Sequence, residues 1–281
     1  LSPALHGAHI ALYDIDGKRL RQSKKMLQAL NRNTNKGRAK ITAHLGKPQR
    51  KAALKDATYV VNAIQVGGYE PSTVIDFEIP KKYGLRQTIA DTIGIGGLFR
   101  TLRTAPVVMA FGQDMEQVCP DAWFLNYTNP MCAVTGALLR GTGILGVGLC
   151  HSVQVCAPRL LEYVGMPPAR DLQWKIAGIN HQAWLLEITD GGKDLYPEIR
   201  RRAARIVREA RKKGADKPRD MVRLELMRHF GYYITESSEH SSEYMPYWIK
   251  SNYPELIEEF NIPLDEYPRR CIRQIERWKT Q

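Results

Sequence analysis

Short apolar runs alternate with stretches of helical periodicity along this chain, and that alternation restricts the fold more than any other feature. Residues 8–16 alternate apolar and polar positions and end in two acids, Asp14 and Asp16, which reads as a strand. Helical periodicity follows over 17–33, then a strand at 40–45, a helix at about 49–56 and a strand at 58–66. A long helical stretch ends near Val118, and strand 122–127, helix 130–140, strand 143–149 and helix 153–164 complete the run. Repeated βα units of this length require a parallel sheet with right-handed crossovers. The expected fold class is therefore α/β, with a Rossmann-like, doubly wound parallel sheet over residues 1–170. From 171 to 281 the pattern changes to longer strands (about 172–179 and 182–189), a basic helix, a helix near 218–230 and a tail rich in Tyr, Glu and Pro. This second region is expected to be mixed α+β and to face the substrate.

With 281 residues, 43% of them hydrophobic, the chain can bury one large core or two unequal ones. No run of about 18 apolar residues is present to span a bilayer, and Leu1 to His6 lack the basic-then-apolar order of a signal peptide, so no membrane association and a cytoplasmic location are expected. Five cysteines without a CxxC pair argue against a disulfide framework and a zinc ribbon. A metal would use cysteine singly, with a distant partner. The net charge of +12 suggests a polyanion ligand, but ten of the 41 Lys and Arg residues are concentrated between Arg200 and Arg219. There Ala203, Ile206, Val207 and Ala210 form a thin apolar stripe and no aromatic is available to stack on bases, so a solvated helix face and no nucleic-acid partner are expected.

In a doubly wound sheet, an acid ending the second strand holds the ribose of NAD, and Asp14 or Asp16 occupies such a place; a helix N-cap or a surface acid is the competing reading. The glycine-rich turn that should precede it would lie upstream of Leu1, so the first strand and the glycine loop are expected to be missing. Four segments place polar, reactive residues at strand ends, where open α/β sheets bind ligands: QTIADTIGIGG (87–97), NYTNP (126–130), GVGLCHS (146–152) and GINH (178–181). Cys150 with His151 ends one strand and His181 ends another, so a thiolate and an imidazole can converge on a divalent transition metal with positions left open for substrate and water. Taken singly, each has a plainer reading: a small buried hydrophobe for Cys150, a hydrogen-bonded loop histidine for His181, and a turn for Asn129-Pro130.

As a set, NYTNPM, GLCHSVQ, GINHQAWLLE, TESSEHSSEYMPYW and DFEIPKKYGLRQTIADTIGIGGLFR strongly resemble glycoside hydrolase family 4, most closely its bacterial α-galactosidases. The resemblance runs almost continuously from about Ile10 to Trp278. Family members are longer, so a C-terminal portion is also expected to be absent. The resemblance implies a manganese ion on Cys150 and His181, substrate contacts from Asn129, Gln65 and His151, and NAD bound through Asp14 and Asp16. It implies Asp91 as the general acid for the departing group, with Glu239, then Tyr244, as the residue removing a proton from the sugar.

The implied chemistry is an oxidation–elimination–addition–reduction route that differs from the two-carboxylate mechanism of most glycosidases. A homodimer or homotetramer is implied as well. Relatives acting on 6-phosphorylated sugars carry an arginine where this chain has Gln65, which lacks the charge to hold a phosphate, so a free α-galactoside of the melibiose type is expected. An α-glucosidase or α-galacturonidase of the same family stays open as an alternative. So does a lactate/malate-type dehydrogenase, which would share the scaffold and need no metal.

Overall fold

The first helix shows how local chemistry sets the frame in this computed structural model, which describes residues 3, 6–212 and 214–280. Strand β1 (His9–Asp14) ends beside Asp16, whose carboxylate accepts from the backbone N–H groups of Lys18 (2.8 Å) and Arg19 (3.1 Å). This satisfies donors that the first turn of a helix otherwise leaves orphaned, and helix α1 (Gly17–Asn35) begins there. Strand β2 (Lys40–Leu45) returns parallel to β1, in register from His9↔Lys40 to Asp14↔Leu45.

Helix α2 (Arg50–Leu54) and β3 (Tyr59–Asn62) follow, then a π-helical turn at 68–73, α3 (Val74–Lys82) and the long α4 (Ile95–Val118). Strand β4 (Trp123–Asn126) pairs parallel with β3, and α5 (Met131–Gly141) leads to β5 (Leu145–Gly148), giving the order β3-β4-β5. The expected parallel architecture is present, as two separately hydrogen-bonded sheets, β1-β2 and β3-β4-β5.

Chain contacts divide the described residues into two compact units. One comprises residues up to Ala63, Ala105–Asn126 and Thr135–Val147; the other comprises Ile64–Thr104, Tyr127–Val134 and Gly148 onward. The first unit buries Val108, Met115, Phe124 and Leu138 almost completely. A side chain on Gly112 would come within 2.8 Å of Leu138, so this glycine permits the close approach of α4 and α5. Arg50, largely buried, pairs with Asp114 at 2.6 Å and lies over the ring of Phe111.

The second unit gathers the segments that follow β3, β4 and β5 together with the remaining elements. These are α6 (Ser152–Tyr163), β6 (Leu172–Ile179), β7 (Gln182–Asp190), β8 (Lys193–Asp194), α7 (Tyr196–Ala210), α8 (Met221–Phe230), β9 (Tyr233–Ile234), α9 (Ser238–Tyr244), α10 (Glu255–Glu259) and α11 (Glu266–Thr280). Strands β6 and β7 form an antiparallel hairpin, and β8 and β9 both pair with β7. Leu160, Leu185, Ile188, Ile199, Met221 and Tyr233 centre the core.

The basic helix α7 buries Tyr196, Ile199, Ala203, Val207 and Ala210. Its cations are largely committed: Arg201 and Arg202 to Glu198, Arg200 to the carbonyl of Gly231, and the following Arg211 to Glu225 and Glu259. Among the described residues no helix is long and apolar enough to cross a membrane.

One expectation fails. The helical stretch leading to Val118 is interrupted between α3 and α4, where Gly84, Ala90 and Gly94 adopt positive φ, and residues 87–92 form a buried loop that joins two helices and ends no strand. The cause is a partner distant in sequence: the carboxylate of Glu243 accepts the backbone N–H groups of Thr88 (2.6 Å), Ile89 (3.0 Å) and Ala90 (2.8 Å). These bonds replace the helical ladder, and apolar periodicity does not register them.

Candidate metal centre

The hairpin between β6 and β7 turns on Asn180 and His181, with Ile179 opposite Gln182 and His181 in the left-handed region (φ 63°). Gly178 permits the tight crossing, since a Cβ there would lie 2.5 Å from Ala183. The turn thrusts the buried His181 imidazole toward the segment that follows β5, and its Nε2 lies 3.5 Å from Cys150 Sγ. Strand β9 pairs with β7 near the same end of the hairpin, at Trp184↔Ile234, so the chain beyond it delivers Glu236, whose Oε2 is also 3.5 Å from His181 Nε2. Sulfur, nitrogen and oxygen donors of Cys150, His181 and Glu236 thus lie within 4.8 Å of one another.

Hydrogen bonds hold each donor. Ser152 bridges two of them, lying 3.0 Å from Cys150 Sγ and donating to Glu236 Oε2, while the Ser237 N–H donates to Glu236 Oε1 at 2.9 Å. On its far side, His181 Nδ1 contacts the Thr92 hydroxyl at 2.6 Å, and that hydroxyl is 3.0 Å from Asp91 Oδ1. A second group closes around Asp91: the Tyr244 hydroxyl donates to Oδ1 at 3.0 Å, and His240 Nε2 lies 3.6 Å from the same oxygen. His240 Nδ1 rests 2.8 Å from Ser237 Oγ, and its ring meets that of His181 edge-on at 4.7 Å.

These neighbours set the protonation states. Burial pushes the Cys150 thiol up, but His181 and the hydroxyl and amide of Ser152 outweigh it and bring the group down to about 7. Burial disfavours a charge on Asp91 too, yet the hydrogen bond and charge of His240, with His181 and Arg100, hold its carboxyl well below the usual range. For His240, burial acts against protonation and the Asp91 carboxylate, Glu236 and Glu243 overcome it, raising the imidazole to about 9. Near neutrality the pair is an ionised Asp91 against a protonated His240. Burial beside Asp91 and Glu243 keeps Tyr244 protonated.

The GxGG run explains why the 87–94 loop sits where it does. A Cβ on Gly96 would lie 2.6 Å from that of Ala90, and one on Gly97 would lie 2.7 Å from the Thr92 carbonyl. The start of α4 therefore packs directly on the backbone that carries Asp91 and Thr92.

The other residues singled out in the sequence lie in varied surroundings. Glu239, buried, points its carboxylate at Arg219 (2.7 Å) and Arg270 (3.4 Å). Asn129 Oδ1 accepts the Met131 N–H at 3.2 Å, at the start of α5, and Gln65 donates to the Thr73 hydroxyl at 3.1 Å. Exposed His151 faces Tyr127 with ring centres 6.2 Å apart. In the other unit, Asp14 is gripped by Arg19 at 2.6 and 2.7 Å, which holds its carboxyl below the usual pKa, and Asp16 caps α1. Glu236, His240 and Thr92 are not among the residues singled out in the sequence. The available signal was the spacing in TESSEH, where Glu236 and His240 stand four apart across the start of a helix, as one face requires.

Residues 1–166 match the family 4 glycosyl hydrolases, and residues 176–281 match the family 4 glycosyl hydrolase C-terminal domain. The chain belongs to this family of glycosidases. It is similar to the α-galactosidase of Bacillus subtilis (strain 168), 61% identical over 279 residues, which are 99% of this chain and 62% of that protein. The chain thus spans less than two thirds of that relative's length. A crystal structure of a Bacillus subtilis protein described as a glucosidase superimposes with a TM-score of 0.78 at 25% identity, covering 97% of this chain and 63% of that one. The fold is shared with a gut-microbial 6-phospho-α-glucosidase in complex with NAD and Mn²⁺ (TM-score 0.67, 21% identity, 96% of this chain and 62% of that one).

Proposed function

We propose that this chain hydrolyses α-galactosides and that Cys150, His181 and Glu236 hold a manganese ion for the reaction. The observation that carries the proposal is the approach of Cys150 Sγ to His181 Nε2, with Glu236 beside both, in a family 4 chain. The donor set fits the ion. One thiolate of lowered pKa, one imidazole and one carboxylate suit a divalent transition metal, and three protein donors leave positions for sugar hydroxyls. When bound, manganese supplies Lewis-acid stabilisation of negative charge on sugar oxygens, and NAD supplies reversible hydride acceptance.

The chain's own groups bind, orient and move protons. Cys150 is half ionised at about pH 7 without any ion, so little free energy is needed to present a thiolate. Asp91 and His240 together hold one proton, and it rests on His240, so the acid role implied for Asp91 is better given to the pair. Tyr244 stands with its hydroxyl on the Asp91 carboxylate, and a proton can pass between the two without crossing solvent. Of the two residues expected to act on the sugar proton, Tyr244 is the one joined to this network, whereas Glu239 is engaged by two arginines. Asn129 and His151 are assigned to the sugar, and Asp14 and Asp16 to the NAD ribose.

An unphosphorylated substrate is favoured by Gln65 and by Arg103, which bonds the carbonyl of the adjoining Val66 but spends its charge on the buried Asp76. A cytoplasmic location and a homodimeric or homotetrameric assembly belong to the same proposal. Hydrolysis of an aryl α-galactoside, with NAD and Mn²⁺ added or withheld in turn, tests it. Turnover is expected only with both present, and undiminished turnover without either would overturn it.

A further inference from the structure

Thr92 lies outside the donor set, yet it makes the shortest contact of the His181 ring. Its hydroxyl has one proton to give and lies 3.0 Å from Asp91 Oδ1 and 2.6 Å from His181 Nδ1, with the Tyr244 hydroxyl also in reach. Asp91 Oδ1 already receives the Tyr244 hydroxyl at 3.0 Å, which marks that oxygen as an acceptor. A carboxylate oxygen offers no proton, so the Thr92 proton goes to Asp91 and its lone pair is left for the imidazole. The Nδ1 of His181 must then carry a hydrogen. From these two distances we infer that Thr92 is the positioning residue for His181: its hydroxyl accepts Nδ1–H, fixes the ring and leaves Nε2 as the nitrogen available to an ion.

Two further observations agree. Thr92, Asp91 and His181 are all buried, 7%, 5% and 6% exposed, so water does not compete for these bonds. The Thr92 backbone is also wedged against α4, where a Cβ on Gly97 would meet its carbonyl carbon and oxygen at 2.7 Å. A threonine on a pinned backbone, joined to the imidazole by its hydroxyl, allows the ring little rotation. On the opposite edge Nε2 meets Cys150 Sγ and Glu236 Oε2, both at 3.5 Å, an ordinary hydrogen-bond length to sulfur and a long one to the carboxylate oxygen. The tight contact thus orients the ring and the longer ones mark the position an ion would take, the usual division between the two nitrogens of a ligating histidine.

The inference rests on the proposed metal role of His181 only for its consequence; the hydrogen on Nδ1 can be tested without metal. In metal-free protein, two-bond ¹H–¹⁵N spectra, with the His181 signals identified by their loss in His181→Gln, should show Nδ1 protonated. An unprotonated Nδ1 would overturn the assignment. Replacing Thr92 by valine keeps the shape and removes the acceptor. The Thr92→Val variant should bind Mn²⁺ about 10- to 100-fold more weakly, read from the electron paramagnetic resonance of the free ion, with Thr92→Ser staying within about threefold of the parent.

Equal affinity in Thr92→Val, or a loss in Thr92→Ser as large as in valine, would refute the positioning role. Full Mn²⁺ affinity in both Cys150→Ser and His181→Ala would instead refute the metal reading, while the state of Nδ1 would still judge Thr92.

Discussion

Removing the Glu243 carboxylate tests how the 87–94 loop is held. In the structure Oε2 accepts from the N–H groups of Thr88 and Ile89 and from the Thr88 hydroxyl, and Oε1 accepts from the N–H of Ala90. Glu243→Ala leaves three buried backbone donors without an acceptor, at about 1–3 kcal/mol each. Relief from burying a carboxylate, whose proton affinity burial raises, offsets part of this, so a loss of about 3 kcal/mol is expected. Because every 1.4 kcal/mol is about a factor of ten, amide exchange in a peptide spanning residues 85–94 should accelerate about 100-fold, provided the loop opens locally.

Glu243→Gln can present its oxygen to Thr88 and Ile89 but sets an amide NH₂ against the Ala90 N–H. It should fall between, at about tenfold. Exchange in Glu243→Ala within a factor of three of the parent would show that something other than this carboxylate holds the loop.

Other consequences follow from the same geometry. Alkylation of Cys150, read by mass spectrometry of its peptide, should rise through a midpoint near pH 7, because the thiolate is the nucleophile and the thiol pKa is depressed; His181→Ala should move the midpoint up. A midpoint in the ordinary thiol range in the parent protein would contradict the assigned contacts. Arg50→Ala removes one half of a largely buried ion pair with Asp114 and should destabilise its unit by about 3 kcal/mol in urea denaturation; a change under about 1 kcal/mol would refute that role. Gly97→Ala drives a methyl group into the Thr92 backbone, so it should weaken Mn²⁺ binding at least as much as Thr92→Val. Parent-like affinity would show that the loop yields freely.

Much of the frame was legible because it depends on local pattern. The β1-α1-β2 succession follows from apolar alternation and the Asp16 cap, and the β6-β7 pair follows from two long strands flanking GINH. Cys150 and His181 stood out because reactive residues at strand ends are few. What escaped were partners set by tertiary contact. The loop carrying Asp91 and Thr92 reads as helix until Glu243, more than 150 residues away, supplies its acceptors. In SSEH the sequence offers Glu239 as readily as its neighbours; only the entry of Arg219 and Arg270 shows that Glu239 is engaged while Glu236 and His240 turn to His181 and Asp91. Asp16 fulfils the plainer of its two readings, a helix cap, and that role leaves the ribose assignment to be tested separately.

The central claim is that a cysteine thiolate and His181 bind one divalent ion, and cobalt substitution tests it most directly. Co²⁺ bound by a thiolate gives a sulfur-to-metal charge-transfer band in the near ultraviolet, a signature that nitrogen and oxygen ligands alone do not produce. Titrating the metal-free protein with Co²⁺ should raise this band to saturation at one equivalent; Cys150→Ser should abolish it, and His181→Ala should weaken or eliminate saturable binding. A band of full intensity in Cys150→Ser, or unchanged one-equivalent binding in His181→Ala, would contradict the account.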